Sequence, residues 1–240
     1  MPRWKSAIVQ DIQVVSPTTS LFRLALPDNP DFTFKAGQFI TFDLPIGEKR
    51  LDRWRSYSIA SAPSAKVLEL CIVRVENGRA SDYLFDEVEV GTTLTYKGPD
   101  GAFYMPQRLT VPSVFICTGT GVAPFISMLK DLDERKGFSQ PIHLIFGTRT
   151  EAGILYRSYL EDLAQREPNF KYDICLSRAE DSWTGHRGYV HEVYTSMYAG
   201  QANDIHFYLC GWSNMVDEAI KQLTEQMQVP ERNIIQELYG

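Results

Sequence analysis

Arg55-Ser56-Tyr57-Ser58 sets a cation, an aromatic ring and two hydroxyls side by side. On an extended strand, alternation puts Arg55 and Tyr57 on one face. These groups suit a ligand with a flat apolar ring, a reactive ring nitrogen and phosphates, which describes a flavin. Read alone, the segment is also an ordinary strand with polar decoration. Further along, Cys117-Thr118-Gly119-Thr120-Gly121-Val122-Ala123-Pro124 follows an apolar run. Its glycines let backbone approach a pyrophosphate, in the strand-to-helix context that a dinucleotide loop requires. Pro124 suits a first helical turn, where its missing N–H costs nothing. Holding a flavin and a nicotinamide together allows a hydride to be split into single electrons.

Four further segments carry candidate chemistry. Gly78-Arg79-Ala80-Ser81 joins a strand to a helix, where free N–H groups and the helix dipole attract phosphate. A plain turn after Asn77 is the other reading. Cys210-Gly211-Trp212-Ser213-Asn214-Met215 ends another apolar run. Ser177-Arg178 and Arg187, with Arg149 after Phe146-Gly147-Thr148, supply hydroxyl and cations of the kind a ribose phosphate needs. They also read as surface arginines, and Asp173, Glu180 and Asp181 nearby add opposing charge. The chain closes on Gln236-Glu237-Leu238-Tyr239-Gly240, a functional carboxylate and aromatic or a frayed tail.

The elements that must position these residues fall into two textures. Short strand-like runs fill the first hundred residues: Ala7–Val9, Leu21–Leu26, Gln38–Phe42 and Val67–Val73, with Pro, Gly, Asp or Asn between them. That spacing fits an antiparallel barrel or sandwich, with one short helix after Gly78. Beyond, the runs Ser113–Cys117, Ile142–Phe146, Tyr172–Leu176 and His206–Cys210 alternate with helical patterns at Ala123–Arg135, Tyr156–Arg166 and after Gly211. This alternation argues a parallel sheet covered on both faces. Two domains are expected, 1–107 and 108–240.

Composition narrows the function. The 240 residues are 44% hydrophobic and 22% charged with net charge −6, which supports a core and argues against nucleic acid. The start lacks the apolar stretch of a secretory signal, and no run is long enough to span a membrane. Cys71, Cys117, Cys175 and Cys210 are widely spaced, which fits free thiols in a cytoplasmic compartment and excludes an iron–sulfur loop. The four histidines form no ligand pair and read as packing or surface residues.

Arg-x-Tyr-Ser followed by Ile59-Ala60-Ser61 resembles the flavin signature of the ferredoxin–NADP reductase family. The resemblance covers nearly the whole chain, with motifs in the family's order. It implies an N-terminal antiparallel β-barrel holding FAD and a C-terminal doubly wound α/β domain holding NADP, or NAD, with the cofactors meeting in a cleft. Arg55 then contacts the FAD pyrophosphate, Tyr57 packs on the isoalloxazine and Ser58 bonds near N5, with Ser56 beside them. Gly78, Arg79, Ala80 and Ser81 cradle the pyrophosphate. Cys71, Ile72 and Val73 join the cofactor-binding set. Gly98-Pro99-Asp100-Gly101-Ala102-Phe103 is a closing turn. Thr118, Gly119, Thr120, Gly121 and Pro124 form the dinucleotide loop. Cys210, Gly211 and Met215 lie by the nicotinamide, Ser177, Arg178 and Arg187 take the 2′-phosphate, and Arg149 faces the dinucleotide. Tyr239 stacks on the flavin, and Glu237 serves the nicotinamide or a proton relay. The implied activity is NADPH-dependent reduction of a separate ferredoxin or flavodoxin. Alternatives are the NADH-dependent reductase component of an oxygenase, a free-flavin reductase, or a non-catalytic nucleotide sensor.

Overall fold

β-Branched and aromatic residues spaced by turn formers build six strands in the N-terminal half: β1 (Lys5–Ser16), β2 (Thr19–Ala25), β3 (Phe39–Asp43), β4 (Trp54–Ser58), β5 (Leu68–Val73) and β6 (Thr93–Asp100). The computed structural model describes residues 4–200 and 204–239, Tyr239 by its backbone only. The six strands pair antiparallel in the order β4-β3-β6-β1-β2-β5. A bridge between Ile59 and Leu70 brings the first and last strands of this sheet together, and the sheet closes into a barrel. Its interior is the apolar face of each strand, with Phe22, Phe42, Leu24, Ile40 and Tyr96 fully buried. Helix α1 (Arg50–Arg53) precedes β4, and α2 (Arg79–Asp86) follows the Gly78 turn.

The second half alternates strands and helices: β7 (Ser113–Thr118), α3 (Ala123–Glu134), β8 (Ile142–Thr148), α4 (Arg157–Arg166), β9 (Phe170–Leu176), β10 (His186–Arg187), α5 (Val190–Tyr198), β11 (His206–Trp212), α6 (Ser213–Lys221) and β12 (Ile234–Tyr239). All six strands run parallel, in the order β10-β9-β8-β7-β11-β12. The order reverses between β7 and β11. In open α/β sheets that reversal, at the carboxyl ends of the strands, is where ligands bind.

Two compact units result. The first comprises residues 1–104 with 123–131, and the second 105–122 with 132–240. Residues 105–107 thus group with the second unit, and the first turns of α3 with the first. Among the described residues no helix is long and apolar enough to cross a membrane.

Candidate cofactor sites

In the first unit, β4 presents the flavin motif. Tyr57 packs half-buried against Phe42, ring centroids 5.7 Å apart. Burial pushes its phenol up to about 12, against the opposing pull of Arg55, so the ring stays neutral. Arg55 Nη1 donates to the Leu51 and Trp54 carbonyls at 2.9 and 2.8 Å. A guanidinium has five N–H donors, so Arg55 retains capacity for phosphate. Ser58 is buried at the end of β4. Ser56 is different: its hydroxyl pairs across the strand with Thr41 Oγ1 at 2.9 Å, which gives it a place in the barrel wall.

Past the Ile59–Leu70 bridge, no further bridge among the described residues joins β4 to β5. Antiparallel order sets Ser58 and Tyr57 across from Cys71 and Ile72. Cys71 and Ile72 are buried and Val73 half-buried, with their other edge on β2. The barrel therefore opens between the two segments that the sequence assigns to the flavin.

Gly78 caps α2, and a Cβ there would lie 2.8 Å from Ser81 Oγ and 2.9 Å from the Val75 carbonyl. Ser81 Oγ bonds Val75 N at 3.0 Å and the carbonyls of Val75 and Gly78 at 3.0 and 2.9 Å. Its hydroxyl thus shapes the turn. The first amides of α2, from Arg79 and Ala80 onward, have no intrahelical acceptor and are the groups suited to a phosphate. Arg79 sits above Asp52 at 3.9 Å, largely exposed. Gly98–Pro99 is a cis peptide, and Phe103 beyond it is buried against Phe125.

In the second unit, the loop after β7 is a tight 3-10 turn, Gly119–Val122, leading into α3. Its glycines do different things. Gly119 has φ +54° and open space around a would-be Cβ, so ligand backbone contact is available there. A Cβ on Gly121 would lie 2.4 Å from the Cys210 carbonyl oxygen, so this glycine lets the turn press onto β11. Thr120 is half-buried between them, and Pro124 is buried in the first turn of α3.

Cys210 is fully buried and sits in register with Cys117 on one side and Glu237 on the other. Gly211 has φ +153°, and a Cβ there would meet Thr118 Oγ1 at 2.6 Å and Met215 Cε at 2.8 Å. Two buried polar atoms flank this segment with no hydrogen-bond partner among the described residues, Thr118 Oγ1 and Glu237 Oε2. Burial pushes the Glu237 carboxyl up to about 7. A buried polar atom without a partner is costly unless a ligand or water satisfies it. The residues therefore fit a ligand carrying an amide or similar donor and acceptor pair, as nicotinamide does.

Ser177 and Arg178 follow β9, tied to the end of β8 by Ser177 N to Thr148 O (3.0 Å) and Arg178 N to Arg149 O (2.8 Å). Arg149 and Arg178 are exposed neighbours whose guanidiniums make no ion pair or hydrogen bond with any described residue. Arg187 is engaged elsewhere. Its guanidinium donates to the carbonyls of Ala179, Glu180, Asp181 and Trp183 and so shapes the loop that carries Arg178. Asp173 does not oppose Arg178. It accepts from His143 at 2.7 Å and His186 at 3.0 Å, while His143 also meets Tyr198 OH at 2.7 Å. His143 is thus a packing histidine, as expected, held below the usual imidazole range by burial.

Sequence reasoning passed over two aromatics. Tyr189, 67% exposed, follows Arg187 and Gly188 at the carboxyl end of the sheet, and Trp212, 68% exposed, follows Gly211. The available signal was a large aromatic next to a motif glycine. The Tyr239 side chain lies outside the described residues.

Comparison with known proteins agrees with this division of labour. Residues 6–104 match the oxidoreductase FAD-binding domain, and residues 115–221 match the oxidoreductase NAD-binding domain. The chain is 36% identical over 236 residues to ferredoxin–NADP reductase B of Sorangium cellulosum, covering 95% of this chain and 94% of that protein. It is 33% identical over 238 residues to the anthranilate 1,2-dioxygenase electron transfer component of Acinetobacter baylyi, covering 98% of this chain and 66% of that protein. A crystal structure of a ferredoxin NADP+ reductase from Neisseria gonorrhoeae, with bound FAD and NADP, shares the fold at TM-score 0.83 and 24% identity, covering 99% of each chain. The chain is a member of the ferredoxin–NADP reductase family, a flavoprotein oxidoreductase with an FAD-binding domain followed by an NAD-binding domain.

Proposed function

We propose that the chain passes electrons from NADPH through FAD to a separate acidic one-electron carrier, a ferredoxin or flavodoxin. The observation that carries the coenzyme choice is the pair Arg149 and Arg178, two uncompensated guanidiniums beside Ser177 at adjoining strand ends. They suit a 2′-phosphate, which guanidinium forks bind as charge-assisted pairs. The exposed ring of Tyr189 offers an adenine a stacking face.

Each remaining residue then has a role. Arg55 and the first amides of α2 hold the FAD pyrophosphate. Tyr57 supports the ring system, and Ser58 bonds the ring near N5. When bound, FAD would supply the capacity to accept a hydride and to release electrons singly. Thr118 and Glu237 satisfy the carboxamide, while Cys210, fully buried between β7 and β12, shapes the floor beneath this segment rather than offering a surface of its own. Glu237, with a carboxyl near 7, can hold or release a proton at working pH.

Local charge supports an acidic acceptor. The chain is net negative, yet Lys49-Arg50-Leu51-Asp52-Arg53-Trp54-Arg55 carries four cations and one acid; Arg53 pairs with Asp43 and Arg55 serves the pyrophosphate, which leaves Lys49 and Arg50 to face a partner. Arg50 and Lys97 lie over the Trp54 ring at 4.3 and 4.0 Å, Trp4 meets Trp54 edge-on, and Leu51 is 84% exposed. A cationic rim around apolar surface suits an acidic carrier.

A second reading, the NADH-dependent reductase of an oxygenase, is favoured by Arg187, whose engagement with loop carbonyls removes one cation from the phosphate set. The test is an absorbance spectrum, then anaerobic titration with NADPH and NADH, then transfer to ferredoxin. Preference for NADPH and transfer to ferredoxin support the first reading. Preference for NADH sinks it in favour of the second.

A further inference from the structure

One face of α3 grips the backbone that continues from the flavin strand. Ser127 is fully buried and donates from Oγ to the Ser61 carbonyl at 2.7 Å. Lys130 Nζ donates to the Ala60 carbonyl at 3.1 Å and pairs with Glu69 Oε1 at 3.2 Å. Positions three apart share a helix face, so the two side chains act together. From the other side, β5 holds the same two residues. Ala60 N donates to the Glu69 carbonyl at 2.7 Å, and Glu69 N donates to Ser61 Oγ at 3.2 Å. The other Glu69 oxygen receives Arg23 Nε at 3.1 Å, and Arg23 also pairs with Asp11 at 2.5 Å. All these groups belong to the first compact unit.

This is more than packing demands. The Lys130 side chain is only 26% exposed, and an apolar residue of similar volume is often as stable as a paired charge in such a place. Here the ammonium fixes a backbone carbonyl two residues beyond Ser58. Ile59, between them, is already fixed by its bridge to Leu70 and by its N–H to the Gln38 carbonyl at 3.0 Å. The backbone that continues from Ser58 through Ser61 is therefore held by Gln38, by β5 and by α3.

We infer that Ser127 and Lys130 are positioning residues for flavin reduction, holding the 58–61 backbone so that the Ser58 hydroxyl meets the flavin at a fixed distance. The inference rests on the proposed reaction. Small misplacement of a reacting geometry is costly in rate, while affinity for the dinucleotide is set by other residues.

The test uses the holoprotein with Lys130→Met, Lys130→Arg and Ser127→Ala. Rapid-mixing reduction by NADPH should show the limiting rate constant falling by about tenfold in Lys130→Met, with the dissociation constant for NADPH within about twofold of wild type. Lys130→Arg, which keeps charge and donor, should recover most of the rate. Without any nucleotide, amide exchange at residues 59–62 should speed up in Lys130→Met and Ser127→Ala and return in Lys130→Arg. Unchanged rate and unchanged exchange in Lys130→Met would overturn the inference, as would equal losses in Lys130→Met and Lys130→Arg. If wild type itself is not reduced by NADPH or NADH, the proposed reaction fails, and the exchange result alone decides whether α3 holds this backbone.

Discussion

Glu237 on β12 stands directly across from Cys210 on β11 in the parallel sheet, and its buried Oε2 has no hydrogen-bond partner among the described residues. Burial raises this carboxyl to about 7. The folded chain therefore binds a proton that the unfolded chain releases near the ordinary glutamate value, about 4.3. Between those two values the native state holds more protons than the unfolded state, so stability falls as pH rises through that window. Glu237→Gln keeps the size and removes the charge. The gap in unfolding temperature between variant and wild type should open in favour of the variant from pH 5 to pH 8. A gap that stays constant over that range removes the raised carboxyl from the account.

Tyr57→Ala should weaken FAD retention by about tenfold, the order expected when one aromatic stacking contact worth about 1 kcal/mol is lost with its buried area. Tyr57→Phe should retain the cofactor, because burial keeps the phenol neutral and the ring supplies the contact. FAD dissociation constants of the apoproteins measure both. Loss of equal size in Phe and Ala would reassign the contribution to the hydroxyl.

Gly119 and Gly121 give the dinucleotide turn a built-in contrast. Gly121→Ala drives a methyl to within 2.4 Å of the Cys210 carbonyl, so the Gly119–Val122 turn and β11 must separate. The soluble yield and unfolding temperature should drop sharply. Gly119→Ala meets no atom and carries only the left-handed penalty at φ +54°, about 1–2 kcal/mol. Its unfolding temperature should change little more than that, while dinucleotide affinity falls. Equal stability of the two variants would contradict the packing role of Gly121.

Much of this was legible in the sequence where function needs a local shape. Arg55–Ser58, the Gly78 turn, the Gly119–Pro124 loop and Cys210–Gly211 are contiguous, and their residue types name the backbone they require. Strands β7, β8, β9 and β11 were legible because burial on both faces makes continuous apolar runs. β12 was not legible as a strand, and its last residues read as a functional pair or a frayed tail, because Ile234–Tyr239 mixes polar and apolar residues at a sheet edge, where only pairing with β11 defines a strand. The partners of side chains were hidden. Ser56 meets Thr41 because β3 and β4 share a register, Ser81 closes its own turn, and Arg187 collects four loop carbonyls. Asp173 looked like a competitor for Arg178, yet strand alternation and β10 turn it to His143 and His186. Such choices are made by tertiary neighbours that spacing along the chain does not reveal.

The arginines of the second unit separate by role. Arg178→Ala and Arg149→Ala should each raise the KM for NADPH by about tenfold or more and leave that for NADH nearly unchanged, since a hydrogen bond to a charged group contributes about 1.5–3 kcal/mol. Arg187→Ala should impair both coenzymes alike, because it frees the loop carbonyls that shape the site. Steady-state kinetics with each coenzyme decide this. An effect of Arg178→Ala on NADH as large as on NADPH removes the phosphate assignment.

The cationic segment ahead of the flavin strand makes a prediction about the acceptor alone. Arg50→Glu leaves Arg55, Tyr57 and Ser58 in place and changes the sign of a surface charge next to Leu51 and Trp54. Steered association depends on such charges and weakens with salt, because exposed charges are screened beyond about 8 Å at physiological ionic strength. Flavin reduction by NADPH should therefore match wild type, since no dinucleotide contact is touched. The second-order rate constant for electron transfer to an acidic ferredoxin should fall by about tenfold at low salt and converge on wild type as salt rises. Lys97→Glu should act in the same direction, because Lys97 shares the Trp54 ring with Arg50. A ferredoxin rate indifferent to both substitutions at low salt would place the docking surface elsewhere, and a matching loss in the NADPH half-reaction would show that the segment serves the flavin.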